Sequence, residues 1–326
     1  MVKKRFVLAL ASALVLAGCA AGANPSTEVT IGLTYVPNIQ FAPYYVAVES
    51  GYFEEEGIDV TLRHHGQDED LFGALGQGKE DVVIAGGAEM LQAHTQGVDA
   101  VTFQTLYQSY PVAVIVPEDS PIETLEDLAG ATLGIPGRFG ETWFGALAFL
   151  EQAGLSEGEV QIEEIGFTQQ AALAGGHVDA VIGFGNNDVP QFRATGLDVR
   201  ALPTTPVPVV GIGAGASSTT IAERPEELSA VARATQRAVE AIIEDPQVAL
   251  DAASEHIPGT ITEEQSEVMA AVVERTTELY GNPGEGWGVP DLATWEDMNE
   301  FMVEMDLIEA PVSLADVVTD GIAGSE

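Results

Sequence analysis

A chain of 326 residues, 46% of them hydrophobic, is long enough to bury a large core in one to three domains. Its 51 acids against 12 bases argue against a nucleic-acid partner, whose binding rests on many Lys and Arg contacts, and against a small anion as ligand unless local donors override the field. A single cysteine leaves no internal disulfide and no thiolate metal site, and a solvated acidic surface that keeps an exported protein soluble is the simplest reading of the charge.

The chain opens "MVKKRFVLALASALVLAGC". Lys3, Lys4 and Arg5 precede an apolar run over residues 6–16 that is too short to span a bilayer. Basic, apolar and small residues in that order predict a secretory signal over residues 1–18. The end "LAGC" resembles the bacterial lipobox, which implies that Cys19 becomes the first mature residue and carries a lipid anchor. Residues 19–27 then read as a short tether. Without residues 1–18, nine bases face the 51 acids, a net −42, and Lys79 is the remaining lysine.

Strand and helix signals then alternate, which predicts α/β layers on mostly parallel sheet. "EVTIGLTY" reads as a strand, and "QFAPYYVAVESGYFEEEG" as a helix ending near Gly51. "IDVTLRHH" alternates apolar Ile58, Val60 and Leu62, a strand with one buried face. "DLFGALGQGK" and "AEMLQAHTQG" read as helices on either side of the buried strand "DVVIAGG". "AVTFQTLYQSYPVAVIVPEDS" reads as strand material throughout. A similar cycle follows: helix "TLEDLAG", strand "ATLGIPG", helix "GETWFGALAFLEQAGL", strand "VQIEEIGF", helix "TQQAALAGGH" and strand "VDAVIGFG". "PVVGIGAGASS" is one more strand, and the rest is chiefly helical. The pattern predicts two lobes, residues 28–116 with a return over 210–326, and residues 117–209 between them. Two crossings between the lobes make a hinge, and ligands favour such interfaces and strand carboxyl ends.

In their joint order, "YVPNIQFAPYYVAVESGYFEEEGIDV", "GALGQGKEDVVIAGG", "ETLEDLAGATLGIPG", "IGFTQQAALAGGHVDAVIG" and "TWEDMNEFMVEMDLI" resemble the solute-binding proteins of ABC importers for nitrate, sulfonates, taurine and thiamine pyrimidine precursors. The "P-N-x-Q-F-A-P" turn and "IGFTQ" are similar to the riboflavin-binding branch. The resemblance covers nearly the whole mature chain. It implies an α/β, two-lobed periplasmic-binding-protein fold of type II that closes on one small aromatic heterocycle and delivers it to an ABC permease with its ATPase subunits. It implies no catalysis and no cofactor, a monomer, and contact with the membrane through the Cys19 anchor alone.

Several residues are candidates for ligand contact. "TYVPNIQFAPYYVA" gathers four rings at a strand-to-helix junction. Phe41, Tyr44, Tyr45 and Val48 are spaced i, i+3, i+4, i+7, a stripe that faces a core. Tyr35, Asn38, Gln40 and Phe41 belong to the turn, where rings and amides suit a flat heterocycle, and Tyr44 fits either role. Glu89 follows a buried strand at a helix start, as ligand contact or as cap. Alternation puts Gln108 and Tyr110 on one face and Tyr107 on the other. In "GIPGRFGETWFG", Phe139 and Trp143 offer a second ring surface and Arg138 a donor, although Trp143 also suits a core and Arg138 also suits neighbouring acids. Asn187 and Asp188 match an Asn-Glu pair of pyrimidine-binding relatives, with Asp shorter than Glu, and they also suit an Asx turn or cap. Trp287 covers the cleft rim or anchors a loop.

Rival functions are less well supported. Fungal thiamine-pyrimidine synthases share this fold but need a reactive lysine and a cysteine-rich segment, and here only Lys79 is at hand. A sulfonate or nitrate binder wants several donors converging on an anion. His64 and His65 are adjacent and point to opposite sides of a strand, so no metal site is expected.

Overall fold

The computed structural model describes residues 27–34, 36–65, 70–257 and 263–324. The expected signal over 1–18, Cys19 and Tyr35 lie outside the described residues. No helix among those described is long and apolar enough to cross a membrane.

The described strands are β1 (Thr27–Leu33), β2 (Ile58–His64), β3 (Val82–Gly86), β4 (Val101–Thr105), β5 (Val112–Pro117), β6 (Thr132–Ile135), β7 (Gln161–Glu164), β8 (Ala180–Phe184), β9 (Val199–Ala201) and β10 (Ile212–Ala216). They form two five-stranded sheets, ordered β2-β1-β3-β10-β4 and β7-β6-β8-β5-β9. In the first, β1 runs parallel to β2 and β3, whereas β10 is antiparallel to β3 and β4. In the second, β6 runs parallel to β7 and β8, whereas β5 is antiparallel to β8 and β9.

Each lobe is therefore a mixed sheet in which four strands share one direction, as the expected mostly parallel sheet has it, and one strand, β10 or β5, runs against them. The reason is the chain path. The parallel strands end at the lobe boundary, while β5 and β10 enter from it and so run the other way. The sheet order also moves the first crossing. "AVTFQTLYQSYPVAVIVPEDS" is two strands in different sheets, and the chain crosses between Thr105 and Val112, before the expected boundary after residue 116. The residues alone do not show this break, because β4 and β5 both read as strand and both are buried along most of their length.

The crossings touch. The N–H groups of Leu106 and Tyr107 both donate to the Ile212 carbonyl, at 2.8 and 2.9 Å. A β-carbon at Gly211 would stand 2.3 Å from the Tyr107 carbonyl oxygen, so the crossing segments approach this closely only with glycine there.

Helices cover both faces of the first sheet. Ala42–Glu49 is buried on nearly every side against Pro225–Glu244 and Gln247–His256, and the expected stripe of Phe41, Tyr44, Tyr45 and Val48 packs into the first core. It ends at Glu49, near Gly51 as expected, and Gly51, with a φ of 71°, leads into a separate short helix Tyr52–Glu55. Helix Leu292–Glu304 sends Trp295, Met298, Phe301 and Met302 into a cluster that contains Ala88 of the first lobe and Val112, Phe144 and Leu147 of the second. Each such fully buried side chain contributes about 1.5–3 kcal/mol, so this apolar spine holds the lobes together behind the cleft.

Candidate functional site

The carboxyl ends of the parallel strands open toward the lobe boundary, and the loops that follow them enclose a cavity of about 290 Å³. That size is near the lower end of ligand pockets, about 300–1,000 Å³. The first lobe supplies Thr34, Asn38, Gln40 and Phe41 after β1, Glu89 after β3, Leu106 and Tyr107 after β4, and Ile212. The second supplies Pro136, Phe139, Glu141 and Thr142 after β6, Phe167 and Gln169 after β7, and Phe184, Asn187 and Asp188 at the end of β8. Among the described residues, no Lys, Arg or His lines it. A shallower depression continues outward over Gln170, Gln191 and Phe192 and shares Asn38, Phe167 and Asp188 with the cavity.

Local chemistry sets the walls. The Asn38 side-chain oxygen accepts the Gln40 N–H at 3.0 Å and starts the short turn Ile39–Phe41, which leaves both amides beside the opening. Tyr107 is buried and its hydroxyl points at the Gln40 carbonyl, 3.5 Å away. On the facing wall, Phe139 and Phe167 are 57% and 55% exposed and meet edge to face, with ring centroids 6.4 Å apart. Two large apolar rings held in the open at a cavity mouth are surfaces for stacking. Asp188 accepts the Phe184 N–H at 2.8 Å, and Asn187 donates to Asp188 at 3.0 Å. Asp188 thus ties down the start of helix Gly185–Ala194, held by Asn187, and both line the cavity. Burial raises the Asp188 carboxyl to about 6, against the lowering pull of the Phe184 N–H and Asn187.

Glu89 also fills both of its roles. Its Oε2 accepts the Gly86 N–H at 3.2 Å at the start of helix Gly87–Thr95, and the side chain borders the cavity. Opposite stands Glu141, which inspection of the sequence missed. It sits one residue into helix Gly140–Ala153, is 5% exposed, and neither carboxyl oxygen has a hydrogen-bond partner. Burial and the neighbouring Glu89 charge raise its pKa well above the usual carboxylate range. The Tyr110 hydroxyl and the Glu89 backbone N–H temper this rise, but neither completes a hydrogen bond to Oε1 or Oε2. The signal in the sequence was an acid directly after the glycine of "GRFGE", at a helix start.

The cavity therefore gathers Asn38, Gln40, Phe41, Glu89, Phe139, Asn187 and Asp188. Five other candidates stand elsewhere. Tyr44 is fully buried in the first core, and its hydroxyl has no partner. Trp143 is buried in the second core, with the Arg138 guanidinium 4.6 Å from its ring centre. Arg138 turns to Glu157 and Glu164, away from the cavity, so it serves neighbouring acids. Gln108 is exposed and donates to the Thr105 carbonyl at 2.7 Å. Tyr110 donates to the Glu141 carbonyl at 2.7 Å. Strand alternation misassigned this stretch: residues 106–111 are the irregular crossing, and Tyr107 is the one on the wall. Trp287 anchors its loop through an indole N–H bond to the Tyr280 carbonyl at 2.7 Å. His64 turns to the Tyr45 hydroxyl and His65 to Glu80.

These walls lie within residues 38–249, apart from Thr34, and that span matches the family model described as NMT1/THI5 like. The chain belongs to the NMT1/THI5-like family. Riboflavin-binding protein RibY of Chloroflexus aurantiacus, 34% identical over 309 residues, aligns with 92% of this family member and 88% of its own length. The formylaminopyrimidine-binding protein of Halalkalibacterium halodurans is 24% identical over 326 residues, covering 96% of this chain and 97% of its own. Among solved structures, the periplasmic aliphatic sulphonate binding protein SsuA of Escherichia coli superposes with a TM-score of 0.70 at 16% identity, over 91% of this chain and 92% of SsuA. This NMT1/THI5-like chain thus has the α/β, two-lobed periplasmic-binding-protein fold.

Proposed function

We propose that this protein is an exported solute-binding protein that captures riboflavin or a related uncharged aromatic heterocycle and hands it to an ABC permease. The observation that carries this reading is the cavity wall: rings from both lobes, side-chain amides between them, and no cation. A flat ring system enters between Phe41 and Tyr107 on one side and Phe139 and Phe167 on the other, and the amides of Asn38, Gln40, Gln169 and Asn187 meet its polar edges. The 34% identity to a riboflavin-binding protein puts the flavin first. The full-length match to a formylaminopyrimidine-binding protein makes thiamine pyrimidine precursors the second reading. The cation-free wall speaks against sulfonate or nitrate. Lys79 is exposed and lies off the cavity wall, so a synthase reaction through a lysine imine lacks its nucleophile there.

Delivery follows from export. The signal over residues 1–18 and a lipid on Cys19 would hold the protein as a monomer at the outer face of the membrane, within reach of the permease and its ATPase subunits. Fluorescence titration of riboflavin with the chain beginning at residue 20 tests the ligand. Saturable quenching at micromolar protein supports the flavin. No quenching, with heat released by formylaminopyrimidine in calorimetry, moves the second reading to first. Cys19→Ala should release the protein from the membrane fraction, and retention there would sink the anchor.

A further inference from the structure

The two lobes face each other through a pair of acids. A β-carbon at Gly86 in the first lobe would stand 1.8 Å from Glu141 Oε1 of the second. One at Gly140 in the second lobe would stand 3.2 Å from Glu89 Oε1 of the first. Each carboxyl therefore leans across the boundary to the start of the other lobe's helix. Glu89 spends one oxygen on the Gly86 N–H, and Glu141 has no partner for either.

Among the described residues, the surroundings supply no compensating charge. Tyr110, before β5, presents a hydroxyl that donates to the Glu141 carbonyl. Asp188, from the helix Gly185–Ala194, is the third acid on the same wall, and Tyr107 is the remaining titratable group. Val210 and Trp295 close the side next to Gly87 with apolar atoms. Arg138, near in sequence, is engaged by Glu157 and Glu164. Two carboxyls brought together out of water cannot both ionise cheaply. Burial raises Glu89 as it raises Glu141.

We propose that Glu141, facing Glu89 across the cleft, is the specificity-determining anchor of the cavity: a neutral carboxylic acid that donates one hydrogen bond and accepts one from an amide-like or amidine-like edge of an uncharged heterocycle. This deepens the reading of the site as a heterocycle pocket and rests on it. An N–H beside a ring acceptor matches a carboxylic acid at two points, as an imide or an aminopyrimidine edge does. A phosphate or sulfonate would add a further negative charge to a cavity without cations, and is excluded. Raising the pH ionises the pair, removes the donor and sets two like charges against each other across the cleft. Binding therefore weakens as pH rises.

The test is riboflavin titration at pH 6 to 8.5 with the wild-type chain, Glu141→Gln and Glu141→Ala, and with riboflavin 5′-phosphate in parallel. Wild-type affinity should fall about tenfold or more across that range. Glu141→Gln keeps a donor and an acceptor but cannot titrate, so its profile should be flatter; Glu141→Ala should bind weakly throughout. The phosphate ester should bind about a hundredfold more weakly than riboflavin at pH 7. Superimposable pH profiles for wild type and Glu141→Gln would overturn the proposal while leaving the heterocycle reading intact. Wild type that binds no heterocycle at any pH would sink the reading itself. In that case carbon-13 carboxyl titration of the free wild-type protein still decides the anchor: Glu141 ionising in the ordinary range near pH 4 to 5 ends it.

Discussion

Glu141 of the second lobe occupies the space that a side chain at Gly86 of the first lobe would need: its Oε1, Cδ and Cγ would lie 1.8, 2.2 and 2.9 Å from a β-carbon there. Closure of the lobes at this point depends on the absence of one methyl group. Gly86→Ala should force the Glu141 side chain aside and prop the cleft open. Overpacking of this kind costs about 1–3 kcal/mol, and here it falls on the closed state. Small-angle scattering of the variant with saturating ligand should show a larger radius of gyration than wild type. Identical curves would mean that Glu141 moves without cost.

Rings on the wall and rings in the core should separate cleanly on mutation. Phe139→Ala and Phe167→Ala remove exposed rings, so each should weaken heterocycle binding by about 1–3 kcal/mol with unchanged stability. Trp143→Ala empties a core site and should cost about 3–5 kcal/mol of stability. Paired titration and urea unfolding of the three variants checks both halves. A loss of affinity in a Trp143 variant that unfolds like wild type would return that ring to the ligand.

Asp188 gives a pH dependence with a definite sign. Its carboxyl titrates near 6 in the folded chain, above its ordinary 3.8, so the folded state holds this proton more tightly than the unfolded one. Stability from this group is present at acid pH and falls as pH rises from about 4 through 6. Asp188→Asn should match wild type at pH 4 and exceed it at pH 8. The carboxyl is partly open to the cavity, so water reduces the gain to about 1 kcal/mol. Thermal unfolding at the two pH values measures it, and an equal deficit at both would refute the assignment.

Tyr44 carries a fully buried hydroxyl with no partner, and burial, reinforced by Tyr107, raises its pKa far above the usual phenol range. An unsatisfied buried donor costs about 1–3 kcal/mol, so Tyr44→Phe should leave stability unchanged or raise it. Ligand affinity should not move. A clear loss of stability in urea unfolding would mean that the hydroxyl has a hydrogen-bond partner in solution.

Much of the site could be read from the residues alone, and the failures share a cause. Asn38, Gln40, Phe41, Phe139 and Asn187 stand in the turns or helix starts that follow strands, and such junctions reach the cleft in any two-lobed α/β chain. Arg138, in the turn after β6, and Trp143, in the first turn of the helix that follows, each found a nearer partner, the acids Glu157 and Glu164 for one and the second core for the other. Spacing says which residues share a loop. It does not say which of them a neighbouring element claims. Gln108 and Tyr110 failed differently, because the alternation rule was applied across a chain crossing that carries no strand.

The alternation of apolar runs was enough to imply α/β layers, two cycles and a cleft, because hydrophobic periodicity is a local property of the chain. The order of motifs was enough to imply the family. The direction of β5 and β10, the point of crossing and the meeting of Glu89 with Glu141 are not local. They arise when segments about fifty residues apart or more come to lie side by side, as Glu89 and Glu141 do at the mouths of two different sheets. Nothing in the spacing of two glutamates along a chain says that folding will strip both of water and point them at one another. That pairing, with the binding chemistry proposed for it, belongs to the packed lobes.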